Sequence, residues 1–141
     1  MEMCPFCDLV ENGLPSHAIY EDNEFFVLLD RQSVAFGHCM VLPKKHVDLI
    51  YEMEDSEYVS LLLLSKKLAN IIESHLKVKA VSYLAHGAGV RHVHLHLIPL
   101  KHGDEVVNPQ KYMKRRSDVQ LKHDAERLIA KLPNLEEALA N

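Results

Sequence analysis

The sequence predicts an α+β fold in which an antiparallel sheet of about five strands packs against helices. Five short apolar segments have the length and bounding turn residues of strands, and a long segment with helical spacing separates the third from the fourth. Runs of strands with one long intervening helix are typical of this class. The chain's 141 residues suffice for one domain with a hydrophobic core.

The first half of the chain begins with a turn and continues with strands. Residues 4–14 are predicted to form a metal knuckle or turn that leads into a short helix. The predicted strands are Ala18–Tyr20, Glu24–Asp30 and His38–Leu42. Acidic and Asn residues at 21–23 supply the first turn, and Pro43 is predicted to stop the third strand.

A long helix is predicted to begin near Asp55, where that residue or a close neighbour can cap it, and to run to about Leu76. Helical spacing places on one face Val59, Leu62, Leu63, Ile71, Ile72 and Leu76. Leu61 and Leu64 lie beyond that face and predict a second apolar surface, which would suit a homodimer interface.

A strand over Ala80–Ala85 and a glycine loop precede a further strand with three alternating histidines, which ends at Pro99. It reads His92-Val93-His94-Leu95-His96-Leu97-Ile98. Because successive side chains of a strand point to opposite faces, the imidazoles line one face and the apolar residues the other. Such a row is typical of a metal site or of phosphoryl chemistry, in which a neutral imidazole attacks phosphorus. A merely polar strand face is the remaining alternative.

The tail is predicted to contain an amphipathic helix over Ser117–Leu132. Its apolar side consists of Leu121, Ala125, Leu128, Ile129 and Leu132. We expect residues 1–105 to form the domain proper and residues 106–141 to be a helical extension of it. The basic residues between Pro99 and this helix are Lys101, His102, Lys111, Lys114, Arg115 and Arg116. They can approach a polyphosphate or a second nucleoside, although a solvated patch is the simpler interpretation.

Composition excludes several functional classes. The net charge is -4, and the longest run of basic residues is the short one at 111–116. The chain is therefore not expected to bind nucleic acid. No stretch reaches the roughly 20 apolar residues of a membrane span, so no membrane partner is expected. The first residues lack a basic and an apolar signal region, and the expected location is the cytoplasm.

Cysteines indicate a metal site rather than disulfides, because three is an odd count. In Cys4-Pro5-Phe6-Cys7, two thiolates can share one tetrahedral Zn²⁺ if two more ligands are present. A redox pair and free thiols are the alternatives. The redox reading usually requires a preceding strand, and only three residues precede this motif. Cys39 has no partner in this pattern and is expected to be a small buried residue.

Two segments together resemble the histidine-triad (HIT) superfamily. The histidine row matches the family's pattern of His, apolar, His, apolar, His and two apolar residues. Residues 37–46, Gly-His-Cys-Met-Val-Leu-Pro-Lys-Lys-His, are similar to its Gly-His-x-x-Val-x-Pro-Lys-x-His segment. Residues 19–22 and 28–30 resemble its first hairpin. The likeness covers roughly residues 4–100, and the N-terminal C-x-x-C is typical of many bacterial members.

The resemblance implies a hydrolase or nucleotidyl transferase that acts at the α-phosphate of a nucleotide. His94 would attack phosphorus and form a nucleotidyl-histidine, which water then hydrolyses. His96 and His38 would contact phosphate oxygens. The implied substrate is a purine nucleoside phosphate in a phosphoanhydride or phosphoramidate, such as a dinucleoside polyphosphate or an AMP conjugate.

The resemblance also implies the nucleotide-binding residues and a structural metal. Asp30 would accept hydrogen bonds from the ribose, or alternatively cap a turn. The apolar slot for the base would consist of Phe6, Leu9 and Leu28, for which plain core packing is the alternative. Backbone N–H groups of Gly87 and Gly89 would cradle phosphate. The implied zinc ligands are Cys4, Cys7, His46 and His92, a closed Cys₂His₂ set.

The chain departs from the family before the histidine row. Members usually read Gly-Gln-Ser-Val there, whereas residues 87–90 read Gly-Ala-Gly-Val, so two polar side chains that hold phosphates are missing. His86 could substitute for a further polar residue, and so could Arg91. These losses favour an alternative function, a nucleotide-binding regulatory module with little turnover. A third reading is a metalloprotein that binds an ion with the three histidines themselves.

Overall fold

A computed structural model describes residues 4–140 and places five strands in one antiparallel sheet. These are β1 (Ala18–Glu21), β2 (Phe25–Leu29), β4 (Cys39–Pro43), β5 (Ala80–Leu84) and β6 (Leu95–Leu100). Their order across the sheet is β1-β2-β4-β6-β5. Two short strands, β3 (Gln32–Ser33) and β7 (Lys114–Arg115), pair separately as an antiparallel ribbon. The predicted α+β class with its five-stranded sheet is confirmed.

Four helices complete the described part of the chain. They are α1 (Pro5–Asn12), α2 (Asp55–Leu76), α3 (Asp118–Lys131) and α4 (Leu135–Ala140), with single 3₁₀ turns at Ile50–Glu52 and Pro109–Lys111. The sequence gives no sign of α4, because six residues are too few to show helical periodicity. Among residues 4–140, no helix is long and apolar enough to cross a membrane.

The histidine strand begins later than predicted and continues further. β6 starts at Leu95, so His92 and His94 precede it. The backbone there bonds to a loop instead, since Val93 N–H donates to the Val47 carbonyl at 2.9 Å. Pro99 lies inside the strand, beyond the last residue that pairs with β4, where its missing N–H is tolerated as on an edge strand.

The buried face of α2 differs from the predicted one. The helix bounds agree, and Glu54 is the N-cap without a side-chain cap bond. Its buried apolar residues are Leu61, Leu64, Leu68 and Ile72. Val59 and Leu63 are more than half exposed, at 52% and 53%. A helix that is apolar on several sides does not identify its core face by spacing alone, so the sheet and the C-terminal helices decide it.

Both faces of the central strands are buried. On one face, Val27, Leu29, Cys39 and Val41 belong to a core cluster that includes the apolar residues of α2, α3 and α4. On the other, the alternate residues of β2 and β4 form a second cluster of Phe26, Leu28, Met40 and Leu42, which α1 covers. Ile129 of α3 was expected on the apolar side but is 44% exposed.

A buried carboxylate fixes the loop after β6. Glu105 is 1% exposed, and it accepts hydrogen bonds from the backbone N–H groups of Lys101, His102 and Gly103 at 2.6–2.9 Å. Burial raises the pKa of Glu105, but these N–H groups outweigh that effect and lower the pKa to about 2. The ionised carboxylate therefore holds the segment that leads to β7.

We predict that Glu105→Ala lowers the free energy of unfolding at pH 7 by about 1–3 kcal/mol, because three N–H groups lose a charged acceptor. Urea denaturation measures this change, and Glu126→Ala on the exposed side of α3 is the matched control. Since the folded pKa of Glu105 is depressed, its contribution is present above the ordinary carboxylate pKa and disappears as the pH falls toward 2. Equal stability of the two variants would contradict this role.

Candidate functional site

Four histidine rings form one group where the residues before β4, the residues before and within β6 and the loop after β5 meet. The His38–His96 and His94–His96 ring centroids are each 5.2 Å apart, and His86 lies 6.3 Å from both His94 and His96. A cavity of about 370 Å³ adjoins His38, His86 and His96, and Asp30 lines it as well. The structure thus brings together the three histidines predicted to be catalytic. We call this space the triad cavity.

A chain of hydrogen bonds sets the proton positions on two of these rings. The backbone N–H of Val34 donates to His38 Nδ1 at 3.1 Å, so that nitrogen carries no proton. His38 Nε2 then donates to His96 Nδ1 at 2.9 Å. A His96 ring with a single proton therefore carries it on Nε2, which bonds to no residue among 4–140. That N–H is a fixed donor available to a ligand.

The Asp30 carboxylate lies beside this pair. Its Oδ2 is 3.4 Å from both His38 Nε2 and His96 Nδ1, and its Oδ1 accepts the backbone N–H of Gln32 at 3.0 Å. Burial raises the pKa of Asp30, but the neighbouring His96 and His38 rings and the Gln32 N–H together hold it below its usual range. Burial is also the main cause that lowers the pKa of His38 to about 4, against the opposing effect of Asp30. At neutral pH the carboxylate is ionised and His38 is uncharged.

His94 has one ring nitrogen occupied and the other free. Its Nδ1–H donates to the backbone carbonyl of His92 at 2.7 Å, which leaves the lone pair on Nε2. Burial is the main cause that lowers the pKa of His94, and the neighbouring His96 and His86 lower it further against the effect of the carbonyl. The neutral tautomer with a bare Nε2 is the form that can attack an electrophile.

A second cluster joins α1 to the segment before β6. Candidate ligand atoms of Cys4, Cys7, His46 and His92 all lie within 4.8 Å of one another. Cys4 Sγ is 3.3 Å from His92 Nδ1, and Cys7 Sγ is 3.3 Å from His46 Nδ1. The two Nδ1 atoms are 3.2 Å apart. The structure thus assembles all four residues predicted to hold zinc.

The donor set of this cluster fits a tetrahedral cation. His92 Nε2–H donates to the Pro43 carbonyl and His46 Nε2–H donates to Asp48, each at 2.8 Å. Both Nδ1 atoms therefore carry lone pairs, which repel at 3.2 Å unless a cation lies between them. Tetrahedral zinc with thiolate and imidazole ligands requires roughly 3.3–3.8 Å between ligand atoms, close to the spacing observed.

Phe6 of α1 connects the two clusters. Its ring centroid is 5.7 Å from that of His92 and 5.4 Å from that of His94. Phe6 and Leu9 are partly exposed and cover the second core cluster, in which Leu28 is 2% exposed. Of the three residues predicted to form a base slot, Leu28 is therefore core, and Phe6 and Leu9 remain partly exposed, with Phe6 beside His94.

The loop after β5 is shaped by one of its two glycines. Gly87 has a φ of +69°, and a Cβ there would lie 2.5 Å from Leu49 Cδ2, so a side chain is excluded on both grounds. Gly89 has open space around it. The Ala88 N–H donates to His86 Nδ1 at 3.0 Å, which fixes the His86 ring near His94.

Several groups of the site carry no recognisable sequence signal. Val34 contributes only its backbone N–H, which no side-chain motif reveals. Arg115 and Met113 line the triad cavity although they lie in the tail, and Gln32 joins them from β3. The basic cluster of the tail is the only sequence feature that indicates that the tail returns to this site. The pairing of β7 with β3 involves only two residues of each strand.

Comparison with known proteins gives consistent matches. The family model described as "HIT domain" matches residues 11–103. "Protein hit" of Bacillus subtilis (strain 168) is 31% identical over 103 residues, which are 70% of this chain and 71% of that protein. "Adenosine 5'-monophosphoramidase HNT1" of Saccharomyces cerevisiae is 30% identical over 98 residues, 68% of this chain and 61% of that protein.

Solved structures show the same fold. A "ZN-bound histidine triad family protein from Mycobacterium smegmatis" has a TM-score of 0.66 with this chain at 24% sequence identity. The comparison covers 90% of this chain and 96% of that one. The match therefore supports the same fold over most of the chain.

We predict that His38 makes stability depend on pH. Its folded pKa of about 4 lies below its usual value of 6.5, so only the unfolded chain binds a proton between these values. The free energy of unfolding should fall by up to about 3 kcal/mol as the pH decreases from 6.5 to 4. His38→Gln, whose amide oxygen can still accept the Val34 N–H, removes this component. Denaturation at pH 7.5 and pH 5 should show a smaller cost of the substitution at pH 5; an equal cost at both would contradict the assignment.

Proposed function

The chain belongs to the HIT domain family, as its histidine row and its Gly37–His46 segment predict, and on this premise we propose that it cleaves or transfers nucleotidyl groups. The family includes nucleotide hydrolases and its members bind nucleotides. The proposed substrate is a nucleoside phosphoanhydride or phosphoramidate, with a purine nucleoside. A relative at 30% identity bears the name of an AMP phosphoramidase, which favours an AMP conjugate.

The observation that carries the proposal is the bond from His94 Nδ1–H to the His92 carbonyl. In the first step, the Nε2 lone pair forms a bond to the α-phosphorus, and the bond to the leaving group breaks with its electron pair. The ring then carries positive charge, which the carbonyl at 2.7 Å stabilises. Water attacks phosphorus in the second step, the N–P bond breaks, and a nucleoside monophosphate and a proton leave. His94 returns to its neutral form.

Oriented donors support the proposed transfer. The Val34–His38–His96 chain keeps a proton on His96 Nε2, where it can bond to a phosphate oxygen as charge develops there. Because the chain starts at a backbone N–H, the rings need no reorientation during turnover. His38 acts through His96, because both of its own ring nitrogens are already bonded.

We assign the nucleoside to the accessible groups around the triad cavity. Asp30 is ionised and 18% exposed, so it can accept bonds from ribose hydroxyls. Phe6 and Leu9 offer an apolar surface next to His94 for the base, above the buried Leu28. Backbone N–H groups of the loop that contains Gly87 and Gly89 are the proposed phosphate cradle.

A second candidate function is a nucleotide-binding regulatory module with little turnover. The observation that favours it is the loop itself, since neither Ala88 nor Gly89 has a polar side chain to hold phosphate. Gly89 also contacts no neighbour that could supply one. Binding by Asp30 and the base surface would survive this loss, whereas transition-state stabilisation would be reduced.

We propose that Cys4, Cys7, His46 and His92 hold a structural zinc ion. The closed four-ligand set leaves no coordination position for substrate. When bound, the ion cross-links α1 to the segment before β6 and neutralises the two thiolates. The family neighbour described as zinc-bound is consistent with this assignment.

A homodimer is the proposed assembly. Apolar side chains on the outer side of α2 and on the edge strand β5 are exposed without a partner within the described chain, namely Tyr58, Val59, Leu63, Tyr83 and Leu84. The residues predicted for the second apolar surface of α2, Leu61 and Leu64, are instead buried in the core, and the exposed face of α2 contains Val59 and Leu63. A second copy would cover that exposed face. Sedimentation equilibrium tests this, and a monomer at micromolar concentration would contradict it.

We predict that His94→Ala reduces AMP release from adenosine 5′-phosphoramidate or a diadenosine polyphosphate by at least about 10³-fold, because the attacking nitrogen is lost. Circular dichroism should show an unchanged fold. His123→Ala on the exposed side of α3 is the control and should retain activity. Wild-type protein that binds AMP but never turns over these substrates would select the regulatory module instead.

We predict about one zinc ion per chain in the purified protein, and its loss in Cys7→Ser. Elemental analysis measures the metal, and a lower melting temperature should accompany its loss because α1 is released. The His94→Ala protein should keep its metal. If metal content followed His94 rather than Cys7, the ion would belong to the histidine row and the structural assignment would be wrong.

A further inference from the structure

A second and larger cavity, of about 940 Å³, lies across the β3–β7 ribbon from the triad cavity. Paired residues of the ribbon divide between the two spaces. Gln32 and its partner Arg115 line the triad cavity, whereas Ser33 and its partner Lys114 line the larger one. The ribbon is therefore a wall with a different cavity on each face. We call the larger space the basic cavity.

Charge in the basic cavity opposes that of the whole chain. Five lysines and two arginines line it, against two carboxylates, although the chain as a whole has a net charge of -4. The cations come from separate elements: Lys77 ends α2, Lys101 follows β6, Lys114 belongs to β7 and Lys131 ends α3. All four side chains are exposed and line one concave space, so a polyanion bound there can contact several of them at once.

One of the two carboxylates pairs with an arginine of the cavity and the other is bonded to the backbone, so neither neutralises the lysines. The Glu105 carboxylate accepts hydrogen bonds from three backbone N–H groups. The Asp124 carboxylate accepts hydrogen bonds from Arg116 Nε and Nη2, at 2.8 and 3.0 Å. Lys111 lies 4.0 Å from Asp104.

Four of the lysines remain without an ion pair. Among residues 4–140, no carboxylate lies within 4.0 Å of the amino groups of Lys77, Lys101, Lys114 and Lys131. Two of the four have a simpler explanation, because Lys77 and Lys131 complement the negative ends of helix dipoles. Lys101 and Lys114 lie on no helix, so that explanation does not apply to them. A shared anion accounts for all four.

We propose that the basic cavity binds a small molecule with an oligophosphate chain. The volume is in the range of small-molecule sites, and its concave shape suits a compact anion better than a nucleic acid strand. Lysine ammonium groups bind phosphate as point charges and need no planar geometry. Several unpaired lysines call for several negative charges on one ligand, which a single phosphate does not supply. This inference does not depend on the proposed function.

Aromatic side chains at the cavity mean that the oligophosphate can belong to either of two kinds of ligand. The His102 and Tyr112 rings stack at 5.0 Å between centroids, and Arg127 lies 4.5 Å above the Phe36 ring. They offer surfaces on which a nucleoside base can stack. The ligand is therefore either a free inorganic oligophosphate or the phosphate chain of a nucleotide.

The test is calorimetric titration of the full-length protein with inorganic tripolyphosphate and with ATP at low salt, with ¹H–¹⁵N spectra to locate binding. We expect saturable binding that shifts the amides of Lys101, Lys114 and Lys131. The Lys101→Ala/Lys131→Ala double variant should bind roughly tenfold more weakly. The matched control is Lys66→Ala/Lys122→Ala, two exposed lysines outside the cavity, and it should bind as the wild type does.

The outcomes separate the alternatives. Tighter binding of ATP than of tripolyphosphate would identify a nucleotide as the source, and the reverse would identify the free oligophosphate; both support the site. No saturable binding, equal weakening in the two double variants, or shifts confined to residues 86–96 would overturn it. Because none of the four substituted lysines lies in the triad cavity, AMP release by the variants should stay unchanged in every case.

Discussion

His92 is held at three points, and the candidate site depends on that constraint. Its Nε2–H bonds to the Pro43 carbonyl, its Nδ1 lies among the cysteines and His46, and its own carbonyl accepts the Nδ1–H of His94. The residue is fully buried. It follows that the Cys/His cluster and the proposed nucleophile are not independent, because the His92 ring belongs to the first and the His92 backbone orients the second.

Backbone groups, rather than charges, fix the protonation of the histidines. The Val34 N–H sets the proton of His38 and, through it, that of His96, while the His92 carbonyl sets that of His94. Backbone groups do not titrate, and burial opposes charge on these rings. A row of imidazoles can therefore remain neutral at physiological pH, with one free lone pair and one fixed donor. These are the two groups that phosphoryl transfer requires.

Local patterns revealed much of the site from the sequence. The period-two alternation of the histidine row predicted which side chains are buried, and Val93, Leu95 and Leu97 are indeed core residues. The C-x-x-C spacing predicted a pair of metal ligands that needs two more, and the fold brings two histidines to it. These two histidines follow from the family resemblance and not from their spacing, since they lie far apart in the chain.

What the sequence could not reveal depends on tertiary contacts. The core face of α2 is chosen by the sheet, since Leu61 and Leu63 are equally apolar but only Leu61 is buried. The ribbon of β3 and β7 has two residues in each strand, too few for any periodic signal. The division of Arg115 and Lys114 between two cavities follows from strand alternation, which becomes visible only once that pairing is known.

The central claim is that the His92 carbonyl keeps the lone pair of His94 on Nε2. Long-range ¹H–¹⁵N correlation spectra of histidine-labelled protein, assigned with the His94→Ala variant, identify which ring nitrogen carries the proton. At pH 7.5 the account predicts a protonated Nδ1 and a bare Nε2 on His94. A proton on Nε2 instead, or on both nitrogens, would contradict it, because Nε2 would then have no lone pair with which to attack phosphorus.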